Sequence, residues 1–136
     1  MLKIAKSVEY ALFALKYMSE KGSNSCSSVS EISEYQNIPY DLLAKIMQKL
    51  AKANIISSYQ GIKGGYILKA TPEMISLNKL ITILDKKIQF TDCMVEKPTT
   101  ADCQRVLNCC IRNPMLKIQN RLNELFESTT VQDLIQ

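Results

Sequence analysis

Histidine is wholly absent from the 136 residues of this chain. Its absence removes the commonest general base and the commonest metal-binding imidazole together. No nucleophile-base signature or phosphate-binding loop takes its place, so no enzyme is expected. No apolar run approaches the roughly 18 to 20 residues of a membrane span, and the N-terminal stretch lacks the long apolar core of a secretory signal. No membrane association and a cytoplasmic location are therefore expected. Repeats and low-complexity tracts are missing too, and 46% hydrophobic with 22% charged residues suits one globular domain with room for a dimer-forming arm. Glycine is scarce, and three of the four fall at positions 61, 64 and 65.

What is present concentrates in residues 28–69. Ser28-Val29-Ser30-Glu31 reads as a capping box that opens a helix. Val29, Ile32 and Tyr35 share one face of it, and Asn37-Ile38-Pro39 breaks the pattern because the residue before proline is pushed out of the helical region. Leu42, Leu43, Ile46 and Leu50 then repeat at helical spacing, leaving Tyr40, Asp41, Ala44, Lys45, Gln48 and Lys49 on the wet face. Two strand-like runs follow, Ile55 to Tyr59 and Tyr66 to Lys69, around the glycine-rich loop. There glycine permits positive backbone angles or close backbone approach. This order predicts a winged helix-turn-helix. Residues 40–69 carry five lysines against Asp41, a net +4 equal to that of the whole chain, which concentrates positive charge as phosphate binding requires. Candidate contacts to double-stranded DNA are Ser28, Tyr40, Lys45, Gln48 and Lys49, with Gln60 and Lys63 on the wing.

On either side lie simpler elements. Ser7 is placed as the cap of a first helix running to about Lys21, with Val8, Ala11, Leu12, Leu15 and Met18 buried and Glu9 in its first turn. Ser76 caps a helix bearing Leu77, Leu80, Ile81 and Leu84. Asn113-Pro114 reads as cap and first helical position of a long helix striped with Met115, Ile118, Leu122, Leu125 and Phe126. That stripe follows an apparently complete domain, which predicts that it faces a second copy in a homodimer. Thr130-Val131-Gln132-Asp133 is a second capping box. The expected organisation is a DNA-binding domain at 1–90, a cysteine-rich loop at 91–113, and a dimerisation helix with a final turn at 114–136. The fold class is mainly α, a winged helix-turn-helix with a small β-hairpin and a long C-terminal dimerisation helix.

Five cysteines in a chain expected in reducing cytosol call for metal or redox chemistry rather than structural disulfides. Cys93, Cys103 and Cys109, with nine and then five residues between them, lie within a polar stretch, close enough in sequence to share one metal centre, with Cys110 adjoining the third. Soft thiolates suit an iron-sulfur cluster, zinc or copper(I). Spacing alone selects none of them, and a free-thiol or disulfide sensor stays open as well.

The stretch from Val29-Ser30-Glu31-Ile32 through Lys63-Gly64-Gly65-Tyr66, together with the opening Met1-Leu2-Lys3-Ile4 and Glu9-Tyr10-Ala11-Leu12, resembles the Rrf-type family of bacterial transcription regulators over nearly the full length. The resemblance implies a dimeric winged-helix regulator of a palindromic operator, controlled by an iron-sulfur cluster, of two or four irons, that senses iron, redox or nitric oxide status. It implies Cys93, Cys103 and Cys109 as ligands, favouring Cys109 over the alternate Cys110, and Glu9 from the other protomer as the fourth. A carboxylate is a harder ligand than thiolate, so that iron would be the labile one. One departure is Gln60, where the family usually has Arg, so the operator preference of relatives does not carry over. The alternatives are a cluster-free thiol- or metabolite-responsive regulator of the same fold and an iron-sulfur protein that does not bind DNA.

Overall fold

The first helix, α1 (Lys6–Lys21), buries Val8, Ala11, Ala14, Leu15 and Met18 along one face. It starts two residues earlier than expected. Ala5 occupies the cap position without a side-chain hydrogen bond, and Ser7 lies inside the helix, so the Ser7 cap is not used. The structure, a computed structural model, describes residues 2–62 and 64–136.

Helix α2 (Val29–Gln36) begins where the capping signal placed it, with the Ser28 hydroxyl accepting the Glu31 amide at 3.0 Å. The carboxylate of Glu31 also serves as a long-range tie. It accepts the Tyr17 hydroxyl at 2.7 Å and the Lys21 ammonium, fastening α2 to α1. Tyr35, expected in the buried face, is instead 70% exposed and rests against Tyr17 with ring centroids 4.9 Å apart. Asn37 ends α2 in the left-handed conformation, with φ 53° and ψ 48°. Ile38 then drops into the core, and α3 (Tyr40–Lys52) sets off after Pro39.

Helix α3 buries Leu43, Ile46, Met47 and Leu50. Met47 takes the place expected of Leu42, which is 49% exposed. Beyond it, β1 (Ile56–Tyr59) and β2 (Gly65–Leu68) form an antiparallel hairpin with Ile56 opposite Leu68 and Tyr59 opposite Gly65. The free edge of β2 is taken by Ser27, which exchanges both backbone hydrogen bonds with Tyr66, at 2.9 and 2.8 Å. This short bridge sews the hairpin to the start of α2. It also explains Gly65, because a Cβ there would lie 2.4 Å from the Ser27 carbonyl oxygen. Close approach, rather than a positive backbone angle, is what that glycine provides.

A single 3-10 turn (Pro72–Met74) leads to α4 (Leu77–Leu84), capped by Ser76 through the Lys79 amide at 3.1 Å. Residues 85–111 contain no helix or strand. Helix α5 (Arg112–Ser128) starts at Arg112 behind Ile111, so Asn113 and Pro114 sit within its first turn rather than as cap and first residue. Its sole buried residue is Gln119. The apolar stripe is half-buried at Met115, Leu122 and Phe126 and open at Ile118 and Leu125, 43% and 57% exposed. Helix α6 (Val131–Ile135) carries the expected Thr130–Asp133 capping box and folds back on α1, where Lys16 donates to the Ile135 carbonyl at 3.0 Å. One core results, shared by α1, α2, α3, α4, α6 and the hairpin, with α5 at its margin. No helix among the described residues is long and apolar enough to cross a membrane.

Gly65→Ala should destabilise the domain by about 1–3 kcal/mol in urea unfolding, the range for a forced overlap. Gly64→Ala, whose added carbon meets ordinary contacts at 3.5 Å, should be close to neutral. The Glu31 tie predicts a pH dependence. Lys21 first, and Tyr17 second, hold the Glu31 carboxyl below its ordinary 4.5, so its stabilisation is present above that value and is lost as pH falls through the depressed one. In turn, the hydrogen bond to Glu31 pushes the Tyr17 phenol up from 10.0 to about 12. Its contribution therefore persists below pH 10 and is lost as pH rises toward 12. Ultraviolet titration should find one late-ionising tyrosine, which Glu31→Gln returns toward the ordinary value while flattening the acid limb of the Tm profile.

Candidate nucleic-acid interface and cysteine loop

The turn between α2 and α3 is fixed from both sides. Ile38 is buried, its amide donates to the Ser33 carbonyl at 3.0 Å, and its own carbonyl accepts the Ser33 hydroxyl at 2.6 Å. The buried face of α3 then determines which side chains reach solvent. Tyr40, Asp41, Lys45, Gln48 and Lys49 are all exposed, and no ion pair engages Lys45 or Lys49 among the described residues. Gln60 is exposed directly after β1 at the wing. Ser28 is half-buried, its hydroxyl oxygen accepting the Glu31 amide, which leaves the hydroxyl hydrogen available to donate outward. Lys63 lies outside the described residues.

The loop from 85 to 111 owes its local order to turns. Thr99 closes one by donating its amide and hydroxyl to the Asp102 carboxylate, at 2.8 and 3.1 Å, and Cys103 and Val106 continue with bonds to Thr99 and Cys103. Cys93 is 6% exposed, with its sulfur 3.3 Å from the Thr91 hydroxyl. Cys103 and Cys109 are half-buried and Cys110 is exposed. Among the described residues, no three Cys, Asp or Glu side chains converge into a metal-holding group. By donor chemistry the three thiols suit a soft metal or cluster, and all three lie within one loop free of regular structure. Glu9 is elsewhere. It pairs with Lys6 at 2.7 Å and lines a groove between α1 and α6 with Leu12, Phe13 and Leu134, to which the loop contributes nothing.

Gln119 plays a part that periodicity did not reveal. Its side-chain oxygen accepts the Phe90 amide at 2.7 Å while its nitrogen donates to the Ile88 carbonyl at 2.9 Å and to Asn123 at 3.0 Å. The amide thus grips the chain just before the cysteines, as a neighbouring strand would. Beside it opens a cleft of about 590 Å³ walled by Lys87, Cys93, Arg112 and Asn120. An amide in the middle of the Met115–Leu122 stripe was the available signal.

A family model described as Rrf2, iron-dependent transcriptional regulator, matches residues 4–136. The transcriptional regulator NsrR of Shouchella clausii is 25% identical, over 98% of this chain and 89% of that protein. For IscR of Vibrio vulnificus the identity is 26%, over 98% and 77%. Among solved structures, CymR, the global cysteine regulator of B. subtilis, superposes with a TM-score of 0.73 at 26% identity, covering 99% of this chain and 97% of that one. With its helix-turn-helix, its hairpin wing and its long C-terminal helix accounted for along the whole chain, the protein belongs to the Rrf2 family of transcriptional regulators.

Proposed function

We infer that this chain acts as a homodimer that binds a palindromic DNA operator, with its affinity set by an iron-sulfur cluster held on the loop between α4 and α5. The observation that carries the DNA half is the rotation of α3, which points Lys45, Gln48 and Lys49 outward while its apolar side is locked in the core. In this reading Tyr40, Lys45 and Gln48 meet the major groove. Gln60 and Lys63 approach the minor groove, and Ser28 and Lys49 lie along the backbone. The dimer reading is supported by the open stripe of α5, where Ile118 and Leu125 are left largely exposed by their own chain. Two recognition helices about one DNA turn apart, roughly 34 Å, would then read two half-sites.

Cys93, Cys103 and Cys109 would hold the cluster, with Cys110 as the alternate third thiol and Glu9 of the other copy as the fourth ligand. Bound there, a cluster of two or four irons supplies a centre whose occupancy follows iron, redox or nitric oxide status. The position of Glu9 supports delivery from a second copy, since it sits beside exposed Phe13 and Leu134, away from the loop of its own chain. A second reading, a cluster-free thiol-responsive regulator, is favoured by the exposed Cys110 and by the likeness to CymR.

Lys49→Ala should weaken DNA binding evenly across sequences and lower the slope of log affinity against log salt by about 1. Gln48→Ala should instead cost about 1–3 kcal/mol of discrimination at one base position. Fluorescence anisotropy over a salt series measures both effects. For the loop, protein purified without oxygen should carry a brown visible absorption with matching iron and sulfide. Cys109→Ala should lose that colour, Cys110→Ala should keep it, and Glu9→Ala should bleach faster with the dimer intact. Colourless protein with stoichiometric zinc would refute the cluster, and colourless metal-free protein whose DNA affinity follows thiol oxidation would establish the second reading.

A further inference from the structure

A cleft of about 250 Å³ opens between the first turns of α1, the middle of α3 and the end of α4. Its walls are apolar, formed by Tyr10, Leu42, Ile46 and Leu84, and Lys6, Lys45 and Lys49 stand around it. No carboxylate lines it. Glu9 neutralises Lys6 from the adjoining face of α1, whereas Lys45 and Lys49 have no acidic partner among the described residues. Helix α1 also begins without a side-chain cap, so its positive end adds to the cationic rim. Leu42 is the most open of its apolar walls. It sits on α3 next to the core yet stays 49% exposed, an apolar surface that intramolecular packing leaves unused.

We propose that this cleft binds a small amphipathic carboxylate, with its apolar body on Leu42, Ile46 and Leu84 and its carboxylate between Lys45 and Lys49, and that the bound acid competes with DNA. The apolar floor decides against a bare phosphate group, which is polar on every side and would gain nothing from covering leucine. Scaled from the roughly 150 Å³ that accommodates benzene, the cleft takes an apolar body of about eight to ten heavy atoms. Competition rests on the DNA-binding reading given above, because the same two lysines cannot serve a ligand carboxylate and the duplex together. By linkage, DNA weakens the acid by the same factor that the acid weakens DNA.

The test uses octanoate with the full chain, first without DNA. Titration into ¹⁵N-labelled protein should move the amide signals of Tyr10, Leu42, Lys45, Lys49 and Leu84 saturably. Octanol, with the same body and no charge, should bind roughly tenfold or more weakly, the factor expected for a lost charge-assisted hydrogen bond. Leu42→Glu, a change at a half-exposed position, should abolish octanoate binding and leave thermal unfolding nearly unchanged. Octanoate should also weaken the anisotropy-detected DNA complex. Equal binding of octanol would reduce the cleft to an apolar surface, and equal shifts with inorganic phosphate would make it a seat for the DNA backbone; either result overturns the proposal. Saturable binding with unaltered DNA affinity overturns the competition. Should the protein fail to bind DNA at all, the DNA-binding reading falls, while the direct titration still decides whether the cleft takes the acid.

Discussion

The burial of one face of α3 against α1 is the constraint on which the remaining architecture depends. Leu43, Met47 and Leu50 are fully enclosed, as are Val8, Ala11 and Leu15 across from them. Each large apolar side chain so removed from water contributes about 1.5–3 kcal/mol. Just as important is what this fixes geometrically. An α-helix turns about 100° per residue, so a slip of one position would carry Lys45 and Lys49 away from the surface they now occupy. Core packing therefore sets the aim of the cationic face without any of the lysines taking part in it. The wing is aimed by a second device, the Ser27–Tyr66 backbone exchange, which makes the hairpin and the start of α2 one rigid corner. Recognition helix and wing are held in register by apolar burial on one side and two amide hydrogen bonds on the other.

Most of this was legible in the residues because it is local. The Ser28 and Thr130 caps, the Asn37–Pro39 break and the two strands of the wing each depend on neighbours a few positions away, and the structure has them where the pattern put them. What escaped was set by contacts distant in sequence. Leu42 and Met47 both fit an amphipathic helix, and only the position of α1 and α4 decides that Met47 goes inside. Tyr35 looked like a core residue and became a surface partner of Tyr17, because Glu31 draws α1 and α2 together through polar ties. Gly65 was recognisable as special, but the reason for it, the carbonyl of Ser27, lies 38 positions away. At α5 the proline misled by two residues, since a helix tolerates proline anywhere in its first turn.

The cysteine loop obeys a different logic. No strand or helix forms within residues 85–111, and beyond the Gln119 grip its backbone hydrogen bonds join residues three or four apart. Sequence could name the thiols because donor chemistry is written in residue types. Their mutual placement depends on a chain path held by turns, which spacing does not specify. The core that presents α3, by contrast, belongs to a scaffold that superposes on CymR along nearly its whole length.

The grip of Gln119 on Ile88 and Phe90 gives this loop an unusual boundary. Its outgoing end is continuous with α5 at Arg112, and its incoming end is fastened to the same helix two turns further on, about 10 Å along the axis at 1.5 Å per residue. Both ends thus ride on a single rod, like a bowstring on its bow. Tension or slack arising among the cysteines would be delivered to α5 as bending or twist, and from its far end, through Glu127, to Asn78 of α4.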